Sequence, residues 1–147
     1  MNLGAPLTPT QVKDIPIEVT WPAEDGVLYT LIMTDPDAPT RENPTLGEVK
    51  HWLVVNIPGS DLSQGEEIAA YRGSGPPKGT GLHRYIFLAY KQQDRLEIDE
   101  PRVPQFSAEN RLNWSAKAFA EKHSLQLVAG NFHQAEWDEY VDTIPRQ

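Results

Sequence analysis

Cysteine is absent from the sequence, which excludes disulfides, thiolate catalysis and cysteine-ligated metals together. That absence fits a reducing compartment, although many secreted proteins also lack disulfides. Long apolar runs are missing as well. No stretch approaches the roughly 20 apolar residues that a membrane span requires, and Met1 to Leu7 holds neither a basic nor an apolar segment of signal-peptide length. The expectation is a cytoplasmic protein without a transmembrane segment, in which the sequon Asn113-Trp114-Ser115 stays idle. Positive charge is scarce too: 13 Lys and Arg stand against 21 Asp and Glu, a formal net charge of −8. Such a field repels nucleic acid and anionic surfaces at long range. An anionic ligand then has to be held by a local arrangement of donors.

What is present suits one domain over residues 1–147, long enough to bury a core without staples. Thirteen prolines and ten glycines, spread along the chain, read as turns between short strands. Strand patterns cover Ile17 to Trp21, Val27 to Thr34, Trp52 to Ile57 and Tyr85 to Tyr90. Asp61 is placed to cap a helical turn running through Ala70. Helices are expected late: one capped by Asn113 and running to about His123, another from Gln134 to Ile144 with Trp137, Tyr140, Val141 and Ile144 at helical spacing. Strands first and helices after them predict a mainly β, mostly antiparallel sheet with peripheral helices.

Three segments at strand edges carry unusual chemistry. Asp35-Pro36-Asp37-Ala38-Pro39-Thr40-Arg41 is a proline-stiffened loop that holds carboxylates in set directions. Its bland reading is a strand-ending turn with solvated acids. His51 precedes the Trp52 strand, where a lone histidine is more often a packing residue than a ligand. Gly73-Ser74-Gly75-Pro76-Pro77-Lys78-Gly79-Thr80-Gly81-Leu82-His83-Arg84-Tyr85 lets backbone approach a ligand closely. It is not a nucleotide loop, because Lys78-Gly79-Thr80 has the wrong order and two prolines remove donors. His83 and Tyr85 share a strand face, while Arg84 points the other way, to a structural ion pair with an acid such as Asp37. Imidazole, phenol and peptide N–H groups together suit a phosphate or carboxylate. If an imidazole charges in the pocket, anion affinity rises as pH falls through about 6.5. No His-Glu-x-x-His or Gly-x-Ser-x-Gly occurs, and the four histidines lack metal-ligand spacing. The expectation is a non-enzymatic protein with no cofactor and no metal.

Asp35 to Arg41 resembles the Asp-Pro-Asp-Ala-Pro-Ser/Thr-Arg signature of the phosphatidylethanolamine-binding (Raf kinase inhibitor) protein family. Gly73 to Pro77, followed by Gly81 to Tyr85, resembles its second signature, and Gln134 to Tyr140 is similar to the C-terminal helix of animal members. The resemblance implies an antiparallel β-sandwich with short peripheral and C-terminal α-helices. It also implies a small pocket for phosphate, phosphorylethanolamine and similar headgroups, formed by Asp35, Asp37, Pro39, His51, Gly75, Pro77, His83 and Tyr85, with Tyr140 at the rim. As partners it implies a phospholipid headgroup, a protein kinase or a serine protease, in a signalling role. Three departures follow. Val49-Lys50-His51 stands where many animal members have Trp-His-His, so Lys50 either leans over the pocket or points to solvent. The family's N-terminal strand ahead of Leu7-Thr8-Pro9-Thr10 is not found here, which predicts an unpaired sheet edge and self-association or reduced stability. Ala118 stands where kinase-switch regulation would require a serine or threonine.

Overall fold

The computed structural model describes residues 5–11, 21–38, 40–45, 47–76, 78–105 and 110–144. Its strands are β1 (Ala5–Pro6), β2 (Leu28–Ala38), β3 (Gly47–Pro58), β4 (Glu66–Ala69), β5 (His83–Lys91) and β6 (Gln126–Ala135), with one helix, α1 (Ala116–Lys122). They form a sheet of six strands in the order β1-β6-β5-β2-β3-β4. Every pairing is antiparallel except β1 on β6. The expected mainly β, antiparallel fold is what the chain adopts. The predicted strands at Val27, Trp52 and Tyr85 all exist, each longer than its apolar run. The pattern at Ile17 to Thr20 lies outside the described residues.

Both faces of the sheet are buried, which explains why β2 and β3 read as continuous apolar runs rather than alternating ones. Tyr29, Leu31, Met33, Trp52, Val54, Tyr85 and Phe87 pack on one face with Trp21 and Tyr71. Ile32, Leu53, Val55 and Ile68 pack on the other, beneath Ala116, Phe119 and Ala120 of α1. Two extra residues in β3 shift its register against β2. Met33 faces Trp52 while Thr34 faces Lys50, so His51 is the extra residue of a bulge; a second bulge falls near Asn56, whose φ is +56°. A bulge turns a side chain that simple alternation would have sent elsewhere.

Three expectations give way. Asn113 has φ +53°, the left-handed region, whereas an N-cap is extended; Ser115 is extended and its Oγ accepts from Ala118 N at 3.1 Å, so the helix starts there. Asp61 makes no cap bond to a helix: a 3-10 turn covers only Leu62–Gln64, and from Glu66 the chain is β4. The stretch from Gln134 to Ile144 is not an α-helix. Gln134 and Ala135 end β6, paired with Arg84 and His83, and only Glu139–Thr143 turns, as a 3-10 segment capped by Asp138. Ladder bonds and the burial of Ala135 beside β5 outweigh the helical spacing downstream. Among the described residues, β1 covers β6 only at His133 and Gln134, leaving the outer side of Gln126 to Phe132 without a strand.

Leu53 is fully buried while Leu127 is more than half exposed. Leu53→Ala is expected to lower unfolding free energy by about 2–5 kcal/mol in urea titrations, and Leu127→Ala by less than about 0.5 kcal/mol. Equal effects would show that Leu53 is not packed in the core or that Leu127 is not exposed.

Candidate functional site

Four adjacent strands bring titratable side chains to one end of the sheet. β5 contributes His83 and Tyr85, which its alternation puts on the same face, and β2 contributes Asp35. The β3 bulge turns His51 toward the same place, where its ring meets Tyr85 edge-on at 5.2 Å between centroids. β6 contributes His133, the residue paired with Tyr85, and the two rings stack at 5.3 Å. All five are buried.

Hydrogen bonds fix each ring. His83 Nδ1 lies 2.8 Å from Asp35 Oδ2, and a carboxylate oxygen only accepts, so Nδ1 carries the proton. Its Nε2 then accepts from the Thr80 hydroxyl at 3.0 Å. His51 Nδ1 lies 2.7 Å from the Arg72 carbonyl, so it too is the donor, which leaves Nε2 with a lone pair. The backbone of Gly75 hydrogen-bonds the Tyr85 phenol. A Cβ on Gly75 would stand 3.0 Å from Ile144 Cδ1, so glycine is what lets the C-terminal segment close over this loop. His133 Nε2 lies 2.9 Å from Ser74 Oγ, and its Nδ1 is buried with no partner among the described residues. A buried N–H without an acceptor costs more than an unused lone pair, so His133 donates from Nε2 to Ser74.

Burial dominates the electrostatics. It lowers His51 from an ordinary 6.5 to about 4; Asp35 and the Arg72 carbonyl oppose the shift, and the charges of Arg111 and Arg72 add to it. Burial lowers His133 to about 4 as well. Tyr85 is pushed well up, first by burial and then by Asp35, so its phenol stays protonated. Asp37 is different. Burial alone would raise it, but Arg84 holds it below the ordinary carboxylate range with three bonds of 2.8–2.9 Å, and Arg41 adds its charge from 3.5 Å. The predicted Arg84–Asp37 pair is therefore present, with Arg84 on the opposite side of β5 from His83 and Tyr85. Asp37 acts as a clamp on β5.

Of the residues expected at the site, Asp35, His51, His83, Tyr85 and Gly75 come together, and Asp37 is next to them but occupied. Tyr140 lies half-buried in the 3-10 segment Glu139–Thr143, just ahead of Ile144. Pro39 and Pro77 lie outside the described residues. Lys50 neither joins these rings nor reaches solvent: it is buried on the other face, 2.9 Å from Glu100 Oε1 and over the Trp114 ring. Among the described residues no group of three His, Asp or Glu converges as a metal cage. The sequence reading missed Ser74, His133 and Arg111. Arg111 is buried and donates to five carbonyls, those of Lys50, His51, Ala70, Pro104 and Gln105, at 2.8–3.3 Å.

Comparison with known proteins now has a site to attach to. The family model described as "Phosphatidylethanolamine-binding protein" matches residues 2–133. The chain belongs to that family. A Drosophila melanogaster protein named "Putative odorant-binding protein A5" is 42% identical over 142 residues, covering 96% of this chain and 67% of that protein. The solution structure of CG7054 is 49% identical, with a TM-score of 0.76 over 97% of this chain and 83% of its own. A phosphatidylethanolamine-binding protein from Plasmodium vivax is 26% identical, with a TM-score of 0.71 over 92% of this chain and 78% of its own. Carboxypeptidase Y inhibitor, solved with its cognate proteinase, gives the same TM-score and identity over 92% of this chain and 76% of its own.

Two outcomes test the site's energetics. Arg111→Leu takes a donor from five carbonyls, of which His51's keeps the Arg72 N–H, and urea unfolding should show a loss on the order of 3 kcal/mol or more; under about 1 kcal/mol would mean that water replaces the guanidinium. His51 and His133 have depressed values, so the unfolded chain binds more protons between about pH 6.5 and 4. Stability is therefore full above about 6.5 and falls as pH drops toward 4, by roughly 2–3 kcal/mol for each ring. His133→Phe should flatten the fall between about pH 6.5 and 5. An unchanged slope in that variant would mean that His133 protonates freely in the folded state.

Proposed function

We propose that this chain is a non-enzymatic binding protein for a small phosphate-containing anion of phospholipid-headgroup size. The observation that supports it most is the convergence of His51, His83 and Tyr85 on one buried end of the sheet, with Asp35 orienting His83. The membership in a phosphatidylethanolamine-binding family and the likeness to the P. vivax protein point the same way. Catalysis has no support in this arrangement, since Asp35 is spent on His83 and Asp37 on Arg84 and Arg41. The D. melanogaster relative is named for odorants. An apolar odorant would leave His51 Nε2 and the Tyr85 O–H dehydrated without a partner, a cost that a ligand able to hydrogen-bond both does not incur.

A second reading, a proteinase inhibitor acting through its surface, draws on the likeness to carboxypeptidase Y inhibitor. The two separate by variant: a surface inhibitor keeps its target when the pocket is disabled.

Calorimetric titration of phosphorylethanolamine is expected to show saturable binding at least about tenfold weaker in His83→Ala. Tyr85→Phe, which keeps the ring packing, should weaken it too. Unchanged affinity in both variants would sink the pocket assignment. Inorganic phosphate titrated in parallel separates a headgroup site from a plain phosphate site.

A further inference from the structure

The tautomers at the site restrict what it can hold, an inference that rests on the binding reading above. His51 spends its only N–H on the Arg72 carbonyl and His83 spends its own on Asp35. His51, kept neutral by burial, therefore turns an acceptor, not a donor, toward any ligand, and His83 Nε2 is already taken by Thr80. That leaves His51 Nε2, which has no hydrogen bond among the described residues, beside the Tyr85 phenol. Tyr85 receives the Gly75 backbone and keeps its O–H to give. A fully ionised phosphate finds one donor and a repelling lone pair there. A hydrogen phosphate finds both partners it needs, since its P–OH donates to His51 Nε2 and its P–O⁻ accepts from Tyr85.

We infer that the pocket binds a phosphate monoester together with one proton. The dianion takes a proton from solvent and is held as the monoanion, the proton shared between a terminal phosphate oxygen and His51 Nε2; no bond of the ester is made or broken. The groups around His51 agree. Asp35 of β2 favours the proton, Arg72 and Arg111 oppose it, and Tyr85, His83 and His133 of β5 and β6 are the remaining titratable neighbours. Burial keeps the empty ring neutral, so the proton arrives with the ligand.

The test is a titration of phosphorylethanolamine into the wild-type chain at about pH 7.5, in buffers of different ionisation enthalpy. A phosphate monoester loses its second proton near pH 6, so uptake should be close to one proton per ligand, and affinity should fall about tenfold per unit above roughly pH 6.5. O-sulfoethanolamine, which has the same shape but no proton to bring, should bind at least tenfold more weakly. Binding with no proton uptake, or equal affinity for the sulfate ester, overturns the inference and leaves the binding reading intact. No binding of the phosphate ester even near pH 5.5 overturns both.

Discussion

A single buried guanidinium ties together the pieces that make the site. Arg111 enters from the chain ahead of α1 and donates to the carbonyls of Lys50 and His51 in β3, of Ala70 just past β4, and of Pro104 and Gln105. In return its own carbonyl accepts the Lys50 N–H. Around the β3 bulge, Lys50 N–H and the Lys50 and His51 carbonyls are thereby bonded, the last also by the Arg72 N–H, as buried backbone groups must be. With Arg111 in place, His51 can turn to the Tyr85 face while Lys50 goes to the opposite one, against Glu100 and Trp114. Burial lowers Arg111 itself to about 10, which still leaves it charged at neutral pH.

The same constraint explains the balance of charge. Across the sequence, acids outnumber bases, yet at this end of the sheet the acids are consumed. Asp35 orients His83, and Asp37 is closed off by Arg84 and Arg41. An anion approaching the site meets hydrogen-bonded dipoles instead of free carboxylates. In a low-dielectric setting a paired acid costs an anion far less than an unpaired one. The Asp-x-Asp spacing thus serves two purposes on one strand, one acid holding a ring and the other holding a neighbouring strand.

Much of this was readable from the residues. The apolar runs at Val27, Trp52 and Tyr85 marked the three central strands because both faces of the sheet are covered. The i, i+2 spacing of His83 and Tyr85 correctly put them together with Arg84 opposed. What escaped was whatever depends on a local break in periodicity. Alternation alone gives Lys50 and Trp52 the same face and His51 the other; the bulge reverses His51, and no residue type announces it. β6 escaped because Gln126 to Ala135 is poor in β-branched residues and contains Gly130, so helical spacing downstream seemed the stronger signal. With β6 misread, His133 had no place in the site. Arg111 left no local sign, since its partners are carbonyls distant in sequence.

These misses bear on how the two signatures should be understood. They identify the family because they hold the ends of β2 and β5 in fixed register, and the histidine between them acts only through the bulge that Arg111 sustains. Which ring nitrogen faces outward is then set by the residues that accept from the imidazoles more than by the imidazoles themselves. Arg72 offers a carbonyl and Asp35 a carboxylate, and each fixes a proton on the far side of its ring. Two histidines that the sequence offers as N–H donors to an anion have, in the folded chain, their Nδ1 protons turned inward. The direction in which each ring presents its nitrogens is therefore set by its own hydrogen-bond partner and not by the net charge of the protein.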